Sequence, residues 1–266
     1  MIKVAVAGAL GRMGREIIKA ICEQEDMKLV AGFERKGHED RGKDIGELIG
    51  LGTLGVKLST ADEMDNVLKE TKPDVFVDFT IADACVNNVK IAAENKVNLV
   101  IGTTGFTEEQ KKEILETIEK NNVAAVISEN FAIGVNIFFK VVEFLTKYLK
   151  DYDIEIIEMH HRYKKDAPSG TALKIAEIIK SNRDVELVFG RYGKCERKEN
   201  EVGVHALRGG DVVGDHIVIF AGDGERVEIV HRASSRRAFV NGVILAIRFI
   251  ANKDKGVYNT FDVLGI

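Results

Sequence analysis

Residues 1–34 read MIKVAVAGALGRMGREIIKAICEQEDMKLVAGFE. MIKVAVAGA has the pattern of a short buried strand, EIIKAICEQE carries apolar residues at helical spacing, and MKLVAGFE supplies a second strand. Gly8, Gly11 and Gly14 occupy the turn between strand and helix, and Glu34 lies 20 residues beyond Gly14, near the end of the second strand. That is the spacing of a βαβ unit that holds a dinucleotide. Its glycines let the backbone approach a pyrophosphate, and its acidic residue reaches the ribose hydroxyls. The spacing GxxGxxG departs from the commoner GxGxxG, so the turn runs one residue differently. Taken alone, the glycines also fit tight packing and Glu34 also fits a solvated surface.

The downstream context favours the dinucleotide reading. KPDVFVDFT, VNLVIGTTG and NVAAVISEN are further strand candidates, separated by helix-like DACVNNVKIAAEN and EEQKKEILETIEKN. Repeated strand-helix alternation predicts a largely parallel open sheet covered on both faces. Asp78, Phe79 and Thr80, and Gly102 to Gly105, end strands at the edge where such sheets bind ligands. Arg35 and Lys36 follow Glu34 and suit a phosphate on the adenosine ribose, so NADH and NADPH are both expected; a plain surface-charge reading fits them equally. Arg12 and Arg15 could approach the cofactor phosphates, although exposed helical charge is their more ordinary role. The glycine-rich stretch from Gly37 to Gly55 lacks a sustained apolar period and reads as a mobile surface excursion. Cys22 and Cys85 fall in apolar helix patterns and read as small core residues.

After Phe131, GVNIFFKVVEFLTKYL suggests a long helix, and strands then dominate: DIEIIEMHH, DVELVFGR, EVGVHALRG, DVVGDHIVIFA and GERVEIVHRAS. One helix with several closely spaced strands marks a second domain of α+β character with a mixed sheet. RRAFVNGVILAIRFIANK is helical again and is expected back against the first sheet. The expected division is a discontinuous dinucleotide-binding domain, residues 1–130 and 237–266, around a second domain, residues 131–236. Hinges near Ser128 to Asn130 and Ser234 to Arg236 would flank a cleft. A sheet of this length needs its faces covered, which makes a homo-oligomer plausible.

Composition bounds the rest. A chain of 266 residues forms a sizeable core without staples, and its three cysteines are far apart and odd in number. The net charge of −4 gives no general attraction to nucleic acid. No apolar run reaches membrane-spanning length, and the opening residues enter a strand without a signal-peptide pattern. A cytoplasmic protein is expected.

EMHHRYKKDAPSGTA, Glu158 to Ala172, is the densest polar stretch, set between a strand pattern and the helix pattern TALKIAEIIK. Ser169, Gly170 and Thr171 fall where helix-start amides are unpaired and face an anion. His160 and His161 point to opposite faces of a strand and should not share one job. Lys164 can neutralise a carboxylate or supply a proton. Asp166 could orient a cation or cap the following segment. No short Cys or His spacing follows, so no metal is expected. His205, His216 and His231, dispersed on strand-like segments, read as structural.

Together with VAGALGRMG, DFT, GTTG, ENFAIGVN, GVHALRGGDVVGDH and HRASSRRAFVNG, this stretch resembles the 4-hydroxy-tetrahydrodipicolinate reductase (dihydrodipicolinate reductase) family, over essentially the whole chain. The resemblance implies an α/β fold with a Rossmann-like domain, and an oxidoreductase that uses NADH or NADPH to reduce a cyclic dicarboxylate, with loss of water, in lysine biosynthesis via diaminopimelate. It implies His160 as proton donor, Lys164 as a second catalytic cation, His161 as a substrate ligand, and Ser169, Gly170 and Thr171 as the carboxylate turn. It also implies cofactor contacts at Gly8, Arg12, Met13, Glu34 and Gly102, Thr103 and Thr104. Ser128, Asn130 and Phe131 would border the nicotinamide. A tetramer through the second-domain sheets is implied. Glu129 replaces the small residue common there in bacterial relatives. The other enzymatic reading is an NAD(P)-dependent dehydrogenase of another small amino or hydroxy acid; the non-enzymatic one is a dinucleotide-sensing interaction protein.

Overall fold

A computed structural model describes all residues, 1–266, as two compact units: Met1–Ile133 with Phe239–Ile266, and Gly134–Ala238. The first contains β1 (Ile2–Ala7), α1 (Arg12–Cys22), β2 (Met27–Glu34), α2 (Ile45–Ile49), β3 (Leu58–Thr60), α3 (Met64–Thr71), β4 (Val75–Asp78), α4 (Ala82–Glu94), β5 (Asn98–Ile101), α5 (Glu108–Asn121) and β6 (Ala124–Ile127). The second contains α6 (Ile133–Tyr148), which starts one residue before it, β7 (Asp153–His160), α7 (Gly170–Asn182), β8 (Glu186–Phe189), β9 (Glu201–Arg208), β10 (Gly214–Gly222) and β11 (Glu225–Ala233). The chain returns to the first through α8 (Arg237–Ile250), β12 (Gly256–Tyr258) and α9 (Thr260–Leu264). No helix is long and apolar enough to cross a membrane.

The first sheet runs β12-β6-β5-β4-β1-β2-β3, every pair parallel. Side-chain alternation splits its apolar strands between two cores. Val4, Val6, Val75, Val77 and Val126 share one with α1 and α8, while Ala5, Ala7, Phe76, Leu99 and Ile101 share the other with α3, α4 and α5. In α8, Val240, Val243, Ile247 and Ile250 are fully buried, each such side chain contributing about 1.5–3 kcal/mol. A Cβ at Gly242 would stand 1.7 Å from the Phe131 carbonyl oxygen, so glycine is what lets α8 lie against that backbone.

The segment from Gly37 to Gly55 corrects the sequence reading, because it folds around one carboxylate. Asp44 caps α2, its Oδ1 accepting from Gly46 and Leu54 N–H at 2.8 and 3.0 Å and its Oδ2 from Gly55 N–H at 2.7 Å. Ile45 beneath it is fully buried. Arg15, read as exposed helical charge, instead donates to the carbonyls of Leu10 and Leu48 at 2.8 and 2.9 Å, tying the glycine turn to α2. Cys22, read as core, is exposed at the end of α1, whereas Cys85 is buried. The helix α1 begins at Arg12, capped by Gly11 in extended geometry, four residues earlier than its apolar period indicates.

The second sheet is mixed, in the order β11-β10-β7-β9-β8; β7-β9 and β8-β9 are parallel, β7-β10 and β10-β11 antiparallel. Along β7, Ile154, Ile156, Glu158 and His160 are buried and alternate with half-buried Glu155, Ile157 and Met159. Two polar residues therefore sit on the inward face of an otherwise apolar strand. The β8–β9 end carries an ionic cluster, in which Glu155 accepts from His205 Nε2 at 2.8 Å and from Arg191 at 3.0 Å; the structural reading of His205 stands.

Candidate active site

Each of the two units carries a cluster of candidate site residues. In the first unit, strand carboxyl ends place the glycine turn, Phe79, Gly102 and Ser128 in sequence along one edge. Gly8 adopts φ +71°, and a Cβ there would meet the Phe79 carbonyl oxygen at 2.7 Å; one on Gly14 would meet the Gly8 carbonyl oxygen at 2.0 Å. Glycine thus lets the turn close tightly on its own backbone and on that of Phe79 where α1 begins with unpaired amides, a cradle that fits a pyrophosphate. Arg12 is exposed at that start, and Met13 is half-buried against the core. Glu34 Oε1 accepts from Leu10 N–H at 2.8 Å, which fixes its carboxylate beside the turn. Arg35 and Lys36 are exposed next to it.

Fully buried Asp78 organises the neighbouring loops. Its Oδ1 accepts from the Thr80 and Thr103 hydroxyls, each at 2.7 Å, and its Oδ2 from Asn88 at 2.8 Å. Thr103 Oγ1 in turn accepts from Thr80 N–H at 2.8 Å. A Cβ on Gly102 would lie 2.1 Å from the Phe79 ring, and that ring packs on Phe131 with centroids 5.8 Å apart.

In the second unit the centre is Glu158, with no exposed surface. Its Oε2 lies 2.6 Å from His160 Nδ1 and 2.9 Å from Arg208 Nη1; its Oε1 accepts from Arg208 Nη2 at 3.0 Å and from Ser169 N–H at 2.9 Å. Burial alone would raise this carboxyl, but the hydrogen bonds from Arg208, His160 and Ser169 outweigh it and hold the group below its ordinary range. An ionised carboxylate only accepts, so His160 carries its proton on Nδ1 and presents Nε2. Gly214 stands opposite; a Cβ there would lie 3.0 Å from Nε2. The His216 ring crosses that of His160 at 5.3 Å, and burial, followed by the charge of His160, pushes the His216 pKa down to about 4. A neutral imidazole therefore faces the His160 ring.

Lys164 is held at 2.8 Å by Asp166 in an ion pair whose lysine is one-fifth exposed; that hydrogen bond lowers the Asp166 carboxyl. The amides of Gly170 and Thr171 open α7 without intrahelical acceptors. Gly170 is exposed and Thr171 half-buried. His161 is half-buried beside Tyr163, ring centroids 6.4 Å apart.

Residues 2–131 match the family model described as dihydrodipicolinate reductase, N-terminus, and residues 134–264 match the one described as dihydrodipicolinate reductase, C-terminus. The chain belongs to the dihydrodipicolinate reductase family. A relative from Methanocaldococcus jannaschii, named 4-hydroxy-tetrahydrodipicolinate reductase, is 76% identical across 100% of this chain and 98% of its own. One of the same name from Methanothermobacter thermautotrophicus is 56% identical with both chains fully covered. The solved structure of a dipicolinate-bound dihydrodipicolinate reductase from Paenisporosarcina sp. TG-14 superposes with a TM-score of 0.81 at 29% identity, over 98% of each chain. An amine dehydrogenase from Mycobacterium smegmatis shares only the fold: TM-score 0.62, 14% identity, 97% of this chain and 95% of that one.

Within this reductase family member, five expected site residues have internal duties. Ser169 is buried: its N–H goes to Glu158, its Oγ accepts from Ala172 N–H at 3.2 Å to cap α7, and the same Oγ lies 3.1 Å from His216 Nε2. The amides left without a partner at this helix start are those of Gly170 and Thr171. Thr103 uses its hydroxyl on Asp78, so Thr104, which is exposed, is the freer threonine of that loop. Ser128 Oγ is met by Thr260 Oγ1 at 2.6 Å and donates to the Asn130 carbonyl at 2.9 Å; Asn130 Oδ1 accepts from Ala132 N–H at 2.9 Å. Phe131 is 2% exposed and packs in the core under α8.

The sequence reading also missed Glu158, Arg208 and His216 as parts of the cluster in the second unit and Asp78 as the brace of the cluster in the first. Glu158 was within reach, being a charged residue at an inward position of an alternating strand. His216 and Arg208 approach through sheet pairing, Glu158 opposite His216 and His160 opposite Arg208, which local spacing does not reveal.

Proposed function

We propose that the chain reduces (2S,4S)-4-hydroxy-2,3,4,5-tetrahydrodipicolinate to (S)-2,3,4,5-tetrahydrodipicolinate, with loss of water, using NADH or NADPH, in lysine biosynthesis via diaminopimelate. The observation that carries this is the 76% identity, end to end, with a relative of that name. The glycine cradle and the Glu158–His160 pair supply chemistry that suits it. A dehydrogenase of another small amino or hydroxy acid is not favoured, since it leaves the matches of both halves to the reductase models without a reason.

Gly8, Gly11, Gly14, Arg12 and the start of α1 would hold the dinucleotide phosphates and Glu34 the adenosine ribose, with Met13, Phe79, Gly102 and Thr104 along the same edge. A reduced nicotinamide bound there supplies the hydride. The substrate's two carboxylates call for positive partners, and Lys164, His161 and the Gly170 and Thr171 amides answer that need. Elimination of the 4-hydroxyl with an adjacent ring proton, as water, conjugates the ring, and hydride addition to it then leaves an electron pair on the ring. A proton from Nε2 of charged His160, or from Lys164 through water, quenches it, leaving the donor neutral. Glu158 balances the imidazolium when His160 is charged. Arg35 and Lys36 beside Glu34 suit the extra phosphate of NADPH, so both dinucleotides are expected to serve, and Arg35→Ala should weaken NADPH more than NADH.

The first unit is assigned the dinucleotide and the second the substrate and assembly. The outward face of the second sheet supports a homotetramer: Ile157, Ile217 and Ile219 are half-buried in the single chain, and Leu207 and Val230 are more than two-fifths exposed. Covering such a face with copies of itself is the ordinary remedy. A cytoplasmic location goes with the pathway.

Dipicolinate, the ligand of the solved relative, gives a direct binding test. Calorimetric titration with NADH present should show saturable binding, weakened about tenfold by Lys164→Ala, the loss of roughly one charge-assisted contact. An absence of binding to the wild-type protein would count against the dicarboxylate site.

A further inference from the structure

The Glu158–Arg208 pair does more than fill the core. On β7, Glu158 and His160 are two residues apart and share the inward face; the parallel register sets His160 opposite Arg208 on β9. The result is a bidentate carboxylate-guanidinium pair, at 2.9 and 3.0 Å, whose carboxylate has no exposed surface. Three separate pieces of the second unit's candidate site hang on it. The His160 ring is held through Nδ1 at 2.6 Å, and the start of α7 through Ser169 N–H at 2.9 Å. The loop carrying Lys164 is held because Arg208 Nη2 also donates to the Asp166 carbonyl at 2.6 Å. A buried ion pair contributes little net stability compared with well-packed apolar residues of the same volume. Packing alone therefore does not account for it.

We propose that Glu158 and Arg208 are positioning residues that set the proton-carrying tautomer of His160 and hold the Lys164 loop and the α7 amides in register with it. The proposal rests on the reductase reading, and acts through His160 and not on the substrate. The carboxylate can only accept, so it demands Nδ1–H and leaves Nε2 as the nitrogen that gains and gives the catalytic proton. Glu158→Gln keeps the shape and reverses this logic. The Arg208 fork claims the amide oxygen, the amide NH2 turns to His160, and Nδ1 must then accept, moving the neutral ring's proton to Nε2.

Two readouts test this. Histidine ¹⁵N spectra of the free protein should show neutral His160 with Nδ1–H in the wild type and with Nε2–H in Glu158→Gln. Turnover of the same variant should fall about 100-fold, the scale of one well-placed proton donor, with the KM for the dinucleotide unchanged. Arg208→Lys keeps a positive charge and loses the fork. It should retain Nδ1–H and lose about tenfold in kcat, and it carries the test if the glutamine variant does not fold. If Glu158→Gln keeps Nδ1–H, or if either variant turns over within about twofold of an active wild type, the positioning role is wrong. A wild type that reduces no substrate would instead refute the reductase reading, and the tautomer readout does not depend on turnover.

Discussion

A methyl group on Gly14 would stand 2.0 Å from the carbonyl oxygen of Gly8. That separation lies far inside van der Waals contact, and the backbone of α1 on one side and of the turn after β1 on the other fixes both positions. Gly14→Ala must therefore push the turn open. We expect the variant to lose at least about tenfold in NADH affinity by fluorescence titration and to melt at lower temperature. Wild-type affinity would mean that the turn does not shape the dinucleotide site.

Asp78 should matter to the same ligand without touching it. Replacing it with alanine leaves the Asn88 amide and the Thr103 hydroxyl without their acceptor inside the protein and the Thr80 hydroxyl with only the Ile81 carbonyl at 3.3 Å. Unpaired buried donors are costly, and a loss of about 3 kcal/mol in urea unfolding is expected. The dinucleotide should also bind more weakly, because Phe79 and the Gly102 to Thr104 loop lose their anchor.

The acid side of the stability profile should carry a signature of His216. Its pKa falls from the ordinary 6.5 to about 4 on folding, chiefly through burial. Between those values the unfolded chain takes the proton and the folded chain does not. Stability from this group is thus full above about pH 6.5 and drains as pH falls toward 4. From about pH 7.5 to about pH 5 the wild type should lose about 2 kcal/mol on this account, and urea unfolding of His216→Asn should lack that part of the slope. Around the ring, His160, Lys164 and His231 oppose its protonation and Glu158 favours it; Glu158, itself lowered, adds an acid loss at lower pH.

Cysteine reactivity offers a check on the folded core. Cys22 and Cys195 are exposed, with the Cys22 thiol raised by partial burial and then by Glu23, while Cys85 is buried and desolvation pushes its thiol pKa up. Iodoacetamide should label Cys22 and Cys195 in the native protein and reach Cys85 only after unfolding, read by peptide mass.

The parallel sheet was legible because its strands are continuous apolar runs and its ligand turn is written in glycines within one βαβ unit. The five strands of the second sheet were legible from alternation. Less visible were β3 and β12, three residues each, too short to show a period. The Asp44 segment escaped because a single carboxylate, not an apolar repeat, organises it. At the site, His160, Lys164 and the α7 start could be read from one stretch. Their dependence on Arg208 and His216, some 50 residues away in sequence, is a matter of strand register. Ser169 has contacts hidden for a related reason: its place at a helix start shows in the local sequence, whereas its contacts with Glu158 and His216 come from sheet register.

Turnover of the proposed substrate is the decisive measurement. With 4-hydroxy-tetrahydrodipicolinate freshly made by dihydrodipicolinate synthase, the purified protein should consume NADH or NADPH in proportion to the substrate added. His160→Gln should lower kcat about 100-fold while still binding NADH, and Lys164→Ala should damage both kcat and KM for the dicarboxylate. No consumption of either dinucleotide with verified substrate, or a His160→Gln enzyme as fast as the wild type, would contradict this account.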